Sequence, residues 1–236
     1  MSRSGDETGI PSWAETLSKV EPLIVRVLAG NSQGTAFAIG VSTNDGGSHT
    51  MFATARHVVR DVLGNDESLD MVAADGSLIS TLTSGPVRVY LVGPPECDTA
   101  LIAVPTKKPL FHQDALQPMP LETMLRRGVP LGWLGYPGLV APELCFFHGV
   151  VAGHMERPPI YLVDGVAING VSGGPAFDQS GLLVGLISAY VPNQLEPGLT
   201  LPGLMIVVPL NLVRLWMQDL FRATVRHRDT SCQGPG

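Results

Sequence analysis

The sequence predicts an all-β sandwich or barrel. Short runs rich in Val, Ile, Leu and Thr recur along almost the whole chain. Gly and Pro, 27 and 20 of 236 residues, separate most of these runs and suit tight turns better than long helices. Many short strands at close spacing, with turn residues between them, are the pattern of a closed or double-layered β protein.

The elements follow in order. Residues 1–11 read as a polar, flexible tail. Ser12 with Glu15 fits a capping box for a short helix to about Lys19, which Pro22 should end. Leu23–Ala29 is an apolar strand, Gly30-Asn31-Ser32-Gln33-Gly34 is turn chemistry, and Thr35–Val41 is the next strand. Asn44–Ser48 reads as a loop. Strands are then expected at Thr50–Ala55, Met71–Ala74, Val87–Val92 and Thr99–Val104. Pro105–Pro120 contains four prolines and little periodicity, so its later part is the connector between two β halves. The second half offers Leu131–Tyr136, Leu144–Val151, Ile160–Val163, Leu182–Ala189 and Leu204–Val208. Pro209 then opens a helix from Asn211 to about Ala223, with Leu212, Leu215, Trp216, Leu220 and Phe221 at helical spacing for docking on the β core. The expected division is 1–22 tail and short helix, 23–108 first β half, 109–120 connector, 121–208 second β half, 209–226 helix and 227–236 frayed tail.

Composition narrows the function classes. Apolar residues make up 44% of the chain, enough for a packed core, while charged residues are only 15%. The net charge of −6 disfavours nucleic acid and anionic membrane surfaces as partners. Met1 to Glu7 is polar and no apolar run follows it, so no secretory signal is expected. No apolar stretch is long enough to span a bilayer as a helix. Cys97, Cys145 and Cys232 are odd in number and widely spaced, forming neither a disulfide framework nor a metal motif. These features lead us to expect a reduced, cytoplasmic protein without a metal or other cofactor.

Chemistry concentrates at three places. Asn169-Gly170-Val171-Ser172-Gly173-Gly174-Pro175 surrounds a serine with residues that allow a sharp turn. A serine nucleophile needs such a turn, because backbone N–H groups must converge where an oxyanion develops, and it also needs a base. Met51 to Val59 runs an apolar strand into His57, a candidate general base on a rigid element. Cys97-Asp98-Thr99 puts a carboxylate at the mouth of a buried strand, where a charge requires a partner and an imidazole N–H suits it. Each feature has an ordinary structural reading as well: a glycine turn, a core histidine, a strand-capping aspartate. Their order, His then Asp then Ser, is that of the serine-protease template. Gly170-Val171-Ser172-Gly173-Gly174 also matches the nucleophile elbow of α/β-hydrolases. That fold requires its histidine after the serine, where only His227 in the polar tail is available. A binding module using the same groove would have no need of all three residues.

Four segments together resemble the trypsin-like peptidases, and among them the compact, disulfide-free HtrA/Deg-type branch. They are Gly34-Thr35-Ala36-Phe37-Ala38-Ile39-Gly40, Thr54-Ala55-Arg56-His57-Val58-Val59, Asp98-Thr99-Ala100-Leu101-Ile102 and Gly170-Val171-Ser172-Gly173-Gly174-Pro175. The resemblance runs from about residue 23 to 215. It implies two six-stranded antiparallel β-barrels of chymotrypsin-like fold with a C-terminal helix, and an active site between them. It implies a serine endopeptidase with His57, Asp98 and Ser172 as catalytic triad and the N–H groups of Gly170 and Ser172 as oxyanion hole. Ser188 would support Asp98, and the edge at 188–190 would pair with an extended substrate. By the same resemblance Val166 takes the floor of the pocket for the residue preceding the cleaved bond, with Ser188, Ala189, Tyr190, Gly203, Leu204 and Met205 as walls. Trypsin carries Asp at the place of Val166, so cleavage after Ala, Val or Leu is expected here rather than after Arg or Lys. A shifted register would bring Asp164 into that pocket instead.

Two departures matter. Val171 stands where members activated by clipping carry Asp, so capture of a new N-terminus by ion pairing is not expected. About 25 residues follow the start of the last helix, so the PDZ domain usual in the HtrA branch is not expected. The expected partners are a protein or peptide substrate and, for regulation, a separate chain, with no nucleic acid and no membrane.

Overall fold

The structure, a computed structural model, describes residues 11–44, 47–63, 68–79, 86–111, 117–120, 123–140, 142–196, 199–213 and 215. Among the described residues twelve strands fall into two antiparallel units. The first contains β1 (Ile24–Ala29), β2 (Ser32–Asn44), β3 (Gly47–Ala55), β4 (Leu69–Ala73), β5 (Arg88–Val92) and β6 (Thr99–Thr106), in the order β4-β1-β2-β3-β6-β5. The second contains β7 (Pro130–Gly135), β8 (Cys145–Glu156), β9 (Pro159–Asp164), β10 (Pro175–Phe177), β11 (Leu183–Glu196) and β12 (Leu199–Pro209), closed as β10-β11-β12-β9-β8-β7. This is the chymotrypsin-like arrangement of two six-stranded units. Closure into a barrel is described for the second. In the first, β4 and β5 are the ends of the sheet among the described residues.

Eleven of the strands lie where hydrophobic runs predicted them; β10, only three residues long, was not expected. Three further differences concern strand ends. The expected loop Asn44–Ser48 is largely strand, since β2 and β3 stay paired out to Asn44 and Gly47. β11 and β12 run on to the pair Glu196 and Leu199, past Pro192 and Pro202. A proline cannot donate to a ladder, and the register shifts between Val191 and Asn193 around one of them. β3 stops at Ala55, so His57 sits not on the strand but in a single helical turn, α2 (Arg56–Val59).

The capping box at the N-terminus is formed. Helix α1 (Trp13–Val20) starts where Ser12 Oγ accepts from Glu15 N–H at 3.4 Å and Ser12 N–H donates to Glu15 Oε2 at 2.8 Å. Val20 joins the core cluster shared with the first sheet, and the start of the helix reaches the barrel. Trp13 packs on Phe146 and Phe177 of the barrel, with centroids 5.3 and 6.1 Å apart, and Thr16 Oγ1 donates to Gln179 O at 2.6 Å. The expected C-terminal helix is helical at Leu210–Val213 and Leu215, with Leu210 and Val213 buried. The rest of it, with Trp216, Leu220 and Phe221, lies outside the described residues.

Strand alternation sorts the core into two clusters. In β7, Leu131 and Trp133 point into the barrel with Val163, Val171, Met205 and Val207. Leu134 and Tyr136 belong to the larger cluster, which joins Phe37, Phe52 and Leu101 of the sheet and Val58 of α2 to Phe177, Leu186 and Val208 of the barrel. Fully burying each large side chain there stabilises the fold by roughly 2 kcal/mol before entropic costs. The two units therefore share apolar core, and the segments that meet across it are held rigidly. Among the described residues no helix is long and apolar enough to cross a membrane.

Candidate active site

His57 is presented by α2. Its neighbours Val58 and Val59 are buried and anchor the turn, while the imidazole is 44% exposed. Asp98 holds it from two directions: His57 N–H donates to Oδ1 at 2.9 Å, and ring Nδ1 lies 2.7 Å from Oδ2. Arg56 N–H also donates to the Asp98 carbonyl at 2.9 Å, so backbone and side chain are fixed together. A neutral imidazole donating from Nδ1 leaves Nε2 with a lone pair, free to accept a proton.

Asp98 has φ +45°, the one non-glycine residue in the left-handed region among those described. It follows a 3-10 turn at Pro95–Cys97 and precedes β6. Aspartate is among the residues that tolerate this conformation best. Strain of this kind persists only where surrounding contacts over-determine it, and three donors converge on this carboxylate. Burial would push its pKa up. The hydrogen bond and charge of the His57 ring, the Ser188 hydroxyl and the His57 N–H outweigh that and hold it below the ordinary carboxylate value. Ser188, in β11 of the barrel, reaches Oδ2 at 2.8 Å and is itself buried.

The serine turn is best understood peptide by peptide. The Asn169 carbonyl accepts from Gly138 N–H at 2.7 Å, and the Gly170 carbonyl from Thr35 Oγ1 at 2.7 Å. The Val171 carbonyl accepts from Gly174 N–H at 3.0 Å, and the Ser172 carbonyl from Thr35 N–H at 2.9 Å. Of the N–H groups, Val171 donates to Ile168 O at 3.0 Å and Gly173 to Ile187 O at 2.6 Å. Among the described residues the N–H groups of Gly170 and Ser172 are left without an acceptor. Gly170 is buried and Ser172 half-buried, and backbone donors so placed are rarely left orphaned. Two of them, flanking a serine, are what an oxyanion needs.

Glycines make the turn possible. Gly170 and Gly173 have φ of +97° and +85°. A Cβ on Gly173 would stand 2.1 Å from Thr35 O and 2.8 Å from Ala55 N. The serine turn thus lies directly against Ala55, the last residue of β3, two positions before His57. The Ser172 hydroxyl has no hydrogen-bond partner among the described residues; such Ser–His bonds commonly tighten only when a substrate binds.

The expected pocket residues are placed less tightly. Val166 is 55% exposed, and its carbonyl accepts from Trp133 Nε1 at 3.2 Å. Its side chain is therefore open to solvent rather than a sealed floor. Ala189, Tyr190, Gly203 and Met205 lie on the β11–β12 pair, with Ala189 opposite Ile206 and Tyr190 opposite Met205. Met205 is fully buried among Trp133, Val163 and Val171. Asp164 is exposed at the end of β9. No group of His, Cys, Asp and Glu among the described residues could hold a metal ion. Sequence reasoning missed Thr35 and Gly138. Thr35 stood within a motif, but nothing local to it signals contacts more than a hundred residues away.

Two antiparallel β units sharing one core, with an imidazole–carboxylate pair beside a glycine-framed serine, define a chymotrypsin-like serine hydrolase in class. The chain belongs to the trypsin-like peptidase domain family, whose model matches residues 34–186, and is a serine endopeptidase. Among solved structures it is similar in fold to the serine endoprotease from Yersinia pestis. The TM-score is 0.64 and the identity 18%, over 89% of this chain and 67% of that one. No curated protein sequence matches the chain.

Proposed function

We propose that Ser172 is the nucleophile, His57 the general base and acid, and Asp98 the orienting carboxylate of this endopeptidase. The observation that carries this reading is the pair of unpartnered N–H groups at Gly170 and Ser172, framed by a turn that abuts the end of β3. Ser172 Oγ attacks the peptide carbonyl carbon while His57 Nε2 takes its proton. The oxyanion forms between the two N–H groups. His57 then protonates the departing amine, and water releases the acyl group by the same route in reverse. Asp98 keeps the proton of the neutral ring on Nδ1 and stabilises the imidazolium.

The substrate binds as an extended strand at β11. Gly185 and Leu186 of β11 pair with both β10 and β12, whereas from Ala189 onward the described pairing is with β12 alone. An unpaired edge beside the serine supports recognition through the main chain. Cys97 and Cys145 are both free thiols, which supports substrates inside a reducing compartment. The test is a fluorophosphonate probe with a peptide library read by mass spectrometry. The wild-type protein should be labelled on Ser172 and cleave; Ser172→Ala should fold alike, take no label and lose turnover. Cleavage by Ser172→Ala at the wild-type rate would reject the assignment.

A further inference from the structure

We infer that Thr35 is a positioning residue for the oxyanion site: it brackets the serine turn from the opposite half of the molecule. Thr35 lies in β2 and is fully buried. It makes four hydrogen bonds that tie three separated segments together. Its N–H donates to the Ser172 carbonyl at 2.9 Å and its hydroxyl to the Gly170 carbonyl at 2.7 Å. The hydroxyl oxygen accepts from Tyr136 N–H at 3.0 Å, and the Thr35 carbonyl accepts from Thr54 Oγ1 at 2.8 Å.

The consequence follows from peptide planarity. A carbonyl and the N–H that shares its peptide point in opposite directions. Thr35 fixes the orientation of the Gly170–Val171 and Ser172–Gly173 peptides. These flank the Val171–Ser172 peptide, which supplies one of the two orphan N–H groups. The other belongs to the Asn169–Gly170 peptide, which immediately precedes the one held by the Thr35 hydroxyl. Gly170 has φ +97° and no side chain to restrict rotation about it. The hydroxyl contact at Gly170 O therefore braces the peptide between the two that carry the free N–H groups, whose own carbonyls accept from Gly138 N–H and Gly174 N–H. Thr54, through the Thr35 carbonyl, links the bracket to β3, the strand that leads to His57. The same residue thus sets the oxyanion donors relative to the base.

This inference rests on Ser172 as nucleophile, and the experiment separates the two. Thr35→Val keeps the size of the side chain and both backbone contacts but removes the hydroxyl. Its kcat should fall roughly tenfold to a hundredfold with KM little changed, the cost of misplacing an oxyanion donor rather than losing it. Affinity for a peptide boronic acid, which forms a tetrahedral adduct on the serine, should fall by the same factor. Binding of an uncleaved peptide should be equal in Ser172→Ala and in Ser172→Ala combined with Thr35→Val. Thr35→Ser should restore most of the lost kcat. Thr35→Cys, a weak donor of similar size, should fall between Ser and Val, and it carries the comparison if Thr35→Val does not fold. Wild-type kcat and boronate affinity in folded Thr35→Val or Thr35→Cys would overturn the inference, as would a loss confined to KM. Persistent turnover in Ser172→Ala alone would instead overturn the assignment of the nucleophile.

Discussion

Ser188 donates its hydroxyl to Oδ2 of Asp98 at 2.8 Å, the same oxygen that faces His57 Nδ1. The bond crosses from the barrel to the sheet, so the orientation of the imidazole depends on how the two units dock. Ser188→Ala removes one of the contacts that keep the carboxylate ionised. A hydrogen bond to a charged group contributes about 1.5–3 kcal/mol, and kcat should fall roughly tenfold. Stopped assays across pH check it: a wild-type kcat in the alanine variant would remove Ser188 from the mechanism.

The same carboxylate makes stability depend on acid. The pKa of Asp98 is lowered in the folded protein. Its contribution is therefore complete above the unfolded value, about 3.9, and is lost as pH falls through the lower folded value. Melting curves of the wild type and Asp98→Asn should differ by a constant Tm gap from neutral pH to about 5, closing below about 4. A gap that widens in acid would contradict the assignment.

Gly173→Ala should be among the most damaging single substitutions. The new Cβ would meet Thr35 O at 2.1 Å and Thr54 Oγ1 at 2.3 Å, and φ is +85°. Thr35 O is backbone and Thr54 Oγ1 is buried and hydrogen-bonded to that same oxygen, so the turn must move. A loss of several kcal/mol is expected, read as a collapsed Tm or no soluble protein. A folded Gly173→Ala with normal activity would show that the turn has slack.

The fold was legible because its signals are local. Turn residues between β-branched runs locate eleven strands, and Ser12 with Glu15 locates α1. β10 was not legible: at three residues it has too little alternation, and it exists because Pro175–Phe177 is trapped between β7 and β11. His57, Asp98 and Ser172 were legible as residue types in a family order. Their support was not. The left-handed backbone of Asp98, the bracket at Thr35 and the docking of α1 on the barrel all arise from contacts between distant segments. The pocket was the least legible, because one register step changes which side chain faces in.

Tyr136 offers a test of the shared core. Its phenolic oxygen is buried without a hydrogen-bond partner among the described residues, and burial pushes its pKa up to about 12. Its N–H and carbonyl are engaged with Thr35 and Gln33, so only the hydroxyl is idle. Tyr136→Phe should be neutral or stabilise the protein by about 1 kcal/mol, with activity retained. A fall in Tm of several degrees would mean that the hydroxyl has a partner.

The last prediction concerns the residue preceding the cleaved bond. β9 alternates, with Tyr161 and Val163 inside the barrel cluster, so Asp164 belongs to the opposite face. Met205, the β12 partner of Val163, is buried with Val163, on the inner side. Trp133 fills the space behind Gly165, where a Cβ would come within 2.3 Å of the indole, and its Nε1 fixes the Val166 carbonyl. The segment ahead of the serine is thus backed by a large aromatic ring and apolar side chains, with no carboxylate on the inner face of β9. A lysine or arginine pressed against it would find no carboxylate partner there, and the solvent exposure at Val166 keeps the resulting penalty modest. The rigid indole also limits depth, which favours Ala, Val and Leu over Phe. In a fluorogenic series varying only this residue, kcat/KM for Val or Ala should exceed that for Arg by at least roughly tenfold, the effect of a modest 1.4 kcal/mol preference. Trp133→Leu, if folded, should shift the preference toward Leu and Phe. Faster cleavage after Arg would reject the apolar pocket and direct attention to Asp164.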